Sequence, residues 1–332
     1  VLSPLSEIFT MAHLIEQMAY VGATPWHGLG NELPAQQPLE VWMERAGMNW
    51  TIEQAPVQYV VSQSGPLSEI CSFDDQKVLF RSDTKAPLSV VGSRYHVVQP
   101  REVLEFYRDL TEVSGFELET AGVLKAGRKF WALARTGQES ALKGSDRVKG
   151  YLLPATSCDG TLATTATPTT VRVVCNNTLT IALDGASSAI KVPHNTSFDA
   201  QAVKRQLGIA VTRWDGFMQR MRTLADRRVK STEAENFFLQ VLCPGGEAAK
   251  DGATPTHERA LKKVQALYDG HGRGAELAAA KGTAWGLLNA VTEFVDHERR
   301  ARSPEYRLDS AWFGQGASLK QRALDQALLL AA

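Results

Sequence analysis

Thr167-Pro168-Thr169-Thr170-Val171-Arg172-Val173-Val174-Cys175-Asn176-Asn177-Thr178-Leu179 is the stretch on which the reading of this chain turns. Val171, Val173 and Val174 are β-branched and favour an extended strand. Asn176, Asn177 and Thr178 accept backbone N–H bonds where a helix begins, and apolar residues follow. The expectation is a strand-to-helix corner with one cation, Arg172, inside the apolar run.

Upstream, Glu117 to Leu124 and Arg128 to Arg135 read as strands joined by Lys125-Ala126-Gly127, a short glycine-containing loop suited to a hairpin. Val148 to Leu153 is a third strand, leading through Ser157-Cys158-Asp159-Gly160 into the corner. Before them, Pro100 opens a helix, Val103, Tyr107 and Leu110 recur at helical spacing, and Gly115 closes it. Val57 to Val61, Lys77 to Phe80, Leu88 to Val91 and Tyr95 to Val98 have strand composition. Leu39 to Ala46 fits a short helix with Trp42 on its apolar side. The order β-α-β-β-β-α predicts an α+β fold around a mostly antiparallel central sheet.

From Ser197 onward the chain reads as helical. Candidates are Phe198 to Lys230, Glu233 to Leu242 (stopped by Pro244-Gly245-Gly246), Thr256 to Tyr268, Thr283 to Arg302 and Leu319 to Leu330. A sheet domain over 11–196 and a helical region over 197–332, packed on or beside the sheet, follow from this change. Residues 1–10 precede Met11 and read as an upstream extension.

The 332 residues carry 36 basic and 36 acidic side chains, so no global charge draws the chain to nucleic acid or membrane. A polyanion site has to come from local clustering. The four cysteines, Cys71, Cys158, Cys175 and Cys243, form no C-x-x-C pair and read as buried thiols of a reducing cytoplasm. No apolar run is long enough to cross a bilayer.

Familiar chemistries find little support. Gly270-His271-Gly272-Arg273-Gly274 follows a helix rather than a strand and lacks G-K-[ST], so it reads as a flexible loop, not a phosphate cradle. Glu293, Asp296, His297 and Glu298 have ligand-like spacing, but Arg299, Arg300 and Arg302 follow at once and point to a solvated ion-pair face. No metal site and no cofactor is expected. Cys175 sits in an apolar setting that would quiet a nucleophile. Trp26, His27 and Gly28 lie in a tight loop that either plugs the core or meets a partner.

Basic clustering is the sharper signal. Between Ser197 and Lys230 lie Lys204, Arg205, Arg213, Arg220, Arg222, Arg227, Arg228 and Lys230 against Asp199, Asp215 and Asp226. Trp214 is interleaved, and cations with an aromatic suit phosphates and stacked bases. Arg172 would add a further phosphate contact. The alternative is an amphipathic helix with a basic solvent face.

Thr24 to Gly30, Val91 to Val98, Glu119 to Leu124, Val171 to Leu179 and Trp285 to Glu293 together resemble the phage/plasmid-like proteins of domain of unknown function 932, which include the prophage proteins YfjQ and YafZ. The resemblance spans almost the whole chain after Met11. It implies a bacterial mobile element and carries no settled activity. The strand order is also similar, at fold level, to the β-β-β-α core of phage single-strand annealing proteins such as Erf, RecT and the lambda Beta protein. The expectation is a cytoplasmic, non-catalytic protein that binds or anneals single-stranded DNA in recombination, as a homo-oligomer and without contact to membrane. The alternative is an accessory protein that acts on a host protein. An enzyme would need Asp159, His27 or Cys175 to converge in one cleft.

Overall fold

Side-chain alternation sets the main sheet. Phe130 and Ala132 face one side while Trp131 and Leu133 face the other, and all four are buried. Both faces of the sheet are therefore covered, which period-two patterning with apolar residues at every position requires. The computed structural model describes residues 18–22, 30–61, 69–174, 177–180, 190–192, 214–244 and 255–332. The strands in chain order are β1 (Met18–Val21), β2 (Asn31–Leu33), β3 (Ile52–Val61), β4 (Glu69–Arg81), β5 (Pro87–Gly92), β6 (Glu117–Leu124), β7 (Lys129–Leu142), β8 (Asp146–Ser157), β9 (Thr164–Arg172), β10 (Asn177–Thr180) and β11 (Ile190–Val192). The main sheet runs β10-β9-β8-β7-β6-β1-β2, with β11 also on β9. Among the described strands of this sheet, only the β1–β2 pair is parallel. β3, β4 and β5 form a separate three-stranded sheet.

The fold is α+β, as the residue pattern indicates. The expected β-α-β-β-β order is present as β5, α2 (Pro100–Ser114), β6, β7 and β8. Gly115, at φ +67°, ends α2 in a left-handed conformation that costs glycine little. Lys125-Ala126-Gly127 makes the tight link between β6 and β7.

Two local expectations are corrected. The residues after Arg172 form a hairpin, not a helical corner: Val173 and Val174 turn, and β10 returns antiparallel with Asn177 opposite Arg172 and Thr178 opposite Val171. The open edge of β9 offers unpaired backbone groups, and the Thr169 and Thr170 hydroxyls donate to the Leu179 carbonyl across it. Asparagine and threonine serve turns as readily as caps, so tertiary pairing decided. Tyr95 to Val98 is not a strand either. The Gln99 side-chain amide takes the strand's place, accepting from Ile52 N at 2.8 Å and donating to Ile52 O at 3.2 Å.

One face of the main sheet packs on α1 (Leu39–Arg45), α2 and the root of the three-stranded sheet, through Trp42, Trp50, Leu79, Leu104 and Tyr107. The other face meets the C-terminal helices through Trp131, edge-on to Trp312 at 4.7 Å, while Leu142, Val148 and Leu179 on the first face meet the helices at the β10 end of the sheet. Those helices are α3 (Trp214–Asp226), α4 (Ser231–Leu242), α5 (Pro255–Ala266), α6 (Ala284–Glu293), α7 (Pro304–Phe313) and α8 (Gln315–Ala331), with single π-helical turns at Leu267–His271 and Phe294–Glu298. The long basic helix expected to reach Lys230 ends at Asp226. Arg228 is already in an isolated β-bridge with Thr283.

Candidate functional site

Arg172 is 2% exposed, which removes it from any surface contact with a phosphate. Its Nε and Nη2 donate to Asp146 Oδ1 and Oδ2 at 2.7 and 2.8 Å, and Asp146 is fully buried. Trp285 Nε1 donates to the same Asp146 at 2.8 Å. The Gly270–Gly274 loop closes over the guanidinium, its Arg273 and Gly274 carbonyls accepting from Arg172 at 3.3 and 3.0 Å. The loop is therefore tied down rather than flexible. Its Arg273 N–H meets the carboxylate of Glu293, so the chain itself supplies the anion. Burial raises the pKa of Glu293, opposed by that N–H.

Two further buried ion pairs lie where strands meet helices. Lys320 on α8 donates to Asp296 at 2.9 Å and to the Thr178 hydroxyl on β10 at 2.7 Å. Lys129 on β7 pairs with Asp309 on α7 at 2.7 Å, and Lys125 reaches the same carboxylate at 2.9 Å. Burial pushes the Lys320 ammonium below its usual range, against the pull of Asp296. Such pairs cost desolvation and add little net stability, but removing one partner strands a charge. Arg172 thus belongs to a set of fasteners between sheet and helices.

The other expected contacts separate. Trp214 is 5% exposed, with its ring against Phe217 and its Nε1 donating to Ser140 Oγ at 3.3 Å. It cannot stack on a base without α3 leaving the sheet. Arg227 is half-buried, bonded to Glu233 at 2.7 Å and to the Leu330 carbonyl at 3.0 Å. Arg220 is half-buried, whereas Arg222 and Arg228 are exposed. Arg228 donates to the Lys281 carbonyl at 2.8 Å. Lys204, Arg205 and Arg213, like Trp26, His27 and Gly28, lie outside the described residues, as does Cys175. Asp159 holds the Thr161 hydroxyl at 2.6 Å.

A different basic concentration comes together instead. A cleft of about 1050 Å³ opens between the end of α4, α5, the 294–298 turn and α8. Arg259, Lys263, Arg299, Arg300 and Arg322 line it, against one carboxylate, Glu298. Leu242, Ala260, Phe294 and Leu319 supply apolar wall. Lys263 and Glu298 pair at 2.9 Å. Arg299 is braced on Gln315 at 3.1 Å, and Arg322 donates to the Val241 carbonyl at 2.7 Å. Burial lowers the pKa of Arg299, the direction expected where cations lose water. Arg259 and Arg300 are exposed and make no ion pair among the described residues. This cluster escaped the sequence because its members come from three separate segments; the only local hint was Arg299-Arg300.

The architecture defines an α+β protein whose helical bundle is locked to the sheet by buried ion pairs and opens a cationic cleft on its own side. The chain belongs to the family described as Domain of unknown function (DUF932), whose model matches residues 87–312, from β5 to α7 and including Arg172, Asp146 and most of the cleft. No curated protein and no solved structure matches the chain. No helix among the described residues is long and apolar enough to cross a membrane.

Proposed function

We propose that this protein binds single-stranded DNA without catalysis, using the cleft of Arg259, Lys263, Arg299, Arg300 and Arg322 as its phosphate-binding surface. The observation that carries the reading is five cations gathered around one cleft in a chain of zero net charge. Phosphate neutralisation supplies most of the affinity in non-specific strand binding, and a cleft with apolar wall also accommodates base faces. Arg222 and Arg228, exposed near the end of α3, offer further cations outside the cleft. α8 links the two regions: Arg322 faces the cleft, and the Leu330 carbonyl holds Arg227 about 12 Å further along the helix.

On this reading, which the resemblance to phage and plasmid proteins supports, the activity serves annealing or recombination on a mobile element in the bacterial cytoplasm. Fluorescence anisotropy with a labelled thymidine oligonucleotide tests the reading. Binding at micromolar protein in low salt is expected, with log K falling against log salt at a slope of about 3, from roughly 0.7 per neutralised phosphate. No binding at micromolar protein in low salt overturns it.

A further inference from the structure

Eleven large hydrophobic residues stand exposed among the described residues, and five of them (Tyr59, Val60, Val61, Ile70 and Phe73) crowd onto the outer part of the β3–β4 ribbon. The register sets Val57 opposite Phe73 and Tyr59 opposite Cys71 on one face, and Val60 opposite Ile70 on the other. β5 pairs with β4 only from Gln76 inward. Beyond that point the ribbon is two strands with solvent on both faces, an arrangement of marginal stability in water. Its charges are of one sign. Glu69, Asp74 and Asp75 are exposed, form no ion pair among the described residues, and have no lysine or arginine beside them in Val57–Val61 or Glu69–Gln76.

An apolar and anionic surface repels nucleic acid and anionic lipid, and it fits a surface that is apolar and cationic. The chain displays such a surface in the cleft, where Leu242, Phe294 and Leu319 lie among Arg259, Arg300 and Arg322. The two do not meet within one molecule. The root of the ribbon, with Ile52 and Leu79, packs in the core with α1 and α2, and no residue of the outer ribbon lines the cleft. We propose that the outer β3–β4 ribbon of one copy seats in the cationic cleft of a second copy. The contact is head-to-tail, so it propagates into rings or filaments and does not close at a dimer. It shares the cleft with the DNA reading above, so ribbon and strand compete, but the contact itself stands on charge and apolar match.

Sedimentation velocity on the full chain over a range of protein concentration tests this. Species larger than dimer are expected in 50 mM salt, with association about tenfold weaker at 500 mM because surface charges are then screened. The triple reversal Glu69→Lys, Asp74→Lys, Asp75→Lys should lose association tenfold or more, as should Arg259→Glu with Arg300→Glu. Mixing the two variants should restore it, because each then offers a surface complementary to the other. All substituted side chains are exposed, and circular dichroism verifies the fold. A wild-type chain that stays monomeric throughout overturns the proposal, as does association indifferent to the ribbon reversal. If the charge swap behaves as stated and a thymidine oligonucleotide neither binds nor dissolves the assembly, the DNA reading fails and the ribbon contact stands.

Discussion

Arg172 and Asp146 meet through two parallel hydrogen bonds, 2.7 and 2.8 Å long, with both side chains almost wholly out of water. The pair sits where β8, β9, α6 and the Gly270–Gly274 loop converge, and Trp285 shares the carboxylate. Asp146→Asn or Arg172→Met leaves one buried charge without its counterion. Each is expected to cost about 3–5 kcal/mol in urea unfolding. The double change Asp146→Asn with Arg172→Met removes both charges and should cost less than the sum of the singles. A double-mutant cycle with no coupling would show that the pair is not a fastener.

The cleft and the end of α3 separate in a salt titration. Arg259→Gln with Arg300→Gln removes two cations that have no ion-pair partner among the described residues. The slope of log K for an oligonucleotide against log salt should fall by about 1.4, at about 0.7 per phosphate. Arg227→Gln acts differently, because Arg227 already serves Glu233 and the Leu330 carbonyl. It should lower stability and leave the slope nearly unchanged. Equal slopes for wild type and the double variant would take the cleft out of DNA binding.

How far the fold was legible depended on how local its causes are. Pro100 and Gly115 bracket α2 by backbone chemistry alone, and Lys125-Ala126-Gly127 turns its hairpin for the same reason. The Ser303-Pro304 start of α7 is equally local in cause, since the serine hydroxyl caps Tyr306 N and proline occupies the first turn. The hairpin after Arg172 was not readable, because its residues suit caps and turns alike and the open edge of β9 made the choice. Charge counting over 197–230 failed for a different reason. A window sum adds Arg222, which faces water, to Arg227, which is spent inside the protein, and it never joins Arg259 to Arg322.

Asp83 ties stability to acid. The bidentate hydrogen bond from Arg81, at 2.9 and 2.6 Å, holds its carboxyl at about 2, below the ordinary 3.8. A lowered carboxyl contributes stability above its unfolded value and loses it as pH falls through the folded one. Asp83 is partly exposed, so screening limits the effect to about 1 kcal/mol at most. Asp83→Asn should lower stability at pH 5 and converge with wild type near pH 2 in parallel denaturant series. A gap that persists unchanged to pH 2 would deny the linkage.

Burial pushes the Cys158 thiol up to about 12, with its Sγ 3.5 Å from the Gly127 and Arg128 carbonyls. Thiolate is then scarce at pH 8, and reaction needs thiolate and access together. Iodoacetamide on the folded protein should leave the Cys158 peptide unmodified while labelling half-buried Cys71, as read by peptide mass mapping. Labelling of Cys158 should follow unfolding by urea. Rapid native labelling would mean that the β8 end and the β6–β7 turn open together.

That turn carries its own strain. Lys125 and Ala126 both hold left-handed backbone, at φ 53° and 56°, ahead of Gly127 at 106°. Two side chains in that region cost on the order of 1 kcal/mol each. The carboxylate of Glu305 on α7 offsets the cost by accepting from the backbone N–H groups of Lys125 and Ala126, a concavity of successive donors that suits an anion. Two changes of opposite sign follow. Ala126→Gly relieves strain without touching a partner and should raise the urea midpoint by an amount equivalent to about 1 kcal/mol. Glu305→Ala leaves those N–H groups without their acceptor and should lower stability by about 1–3 kcal/mol. If Ala126→Gly destabilises instead, the entropy added to the unfolded chain outweighs the strain, and the left-handed turn is less costly than its dihedrals imply.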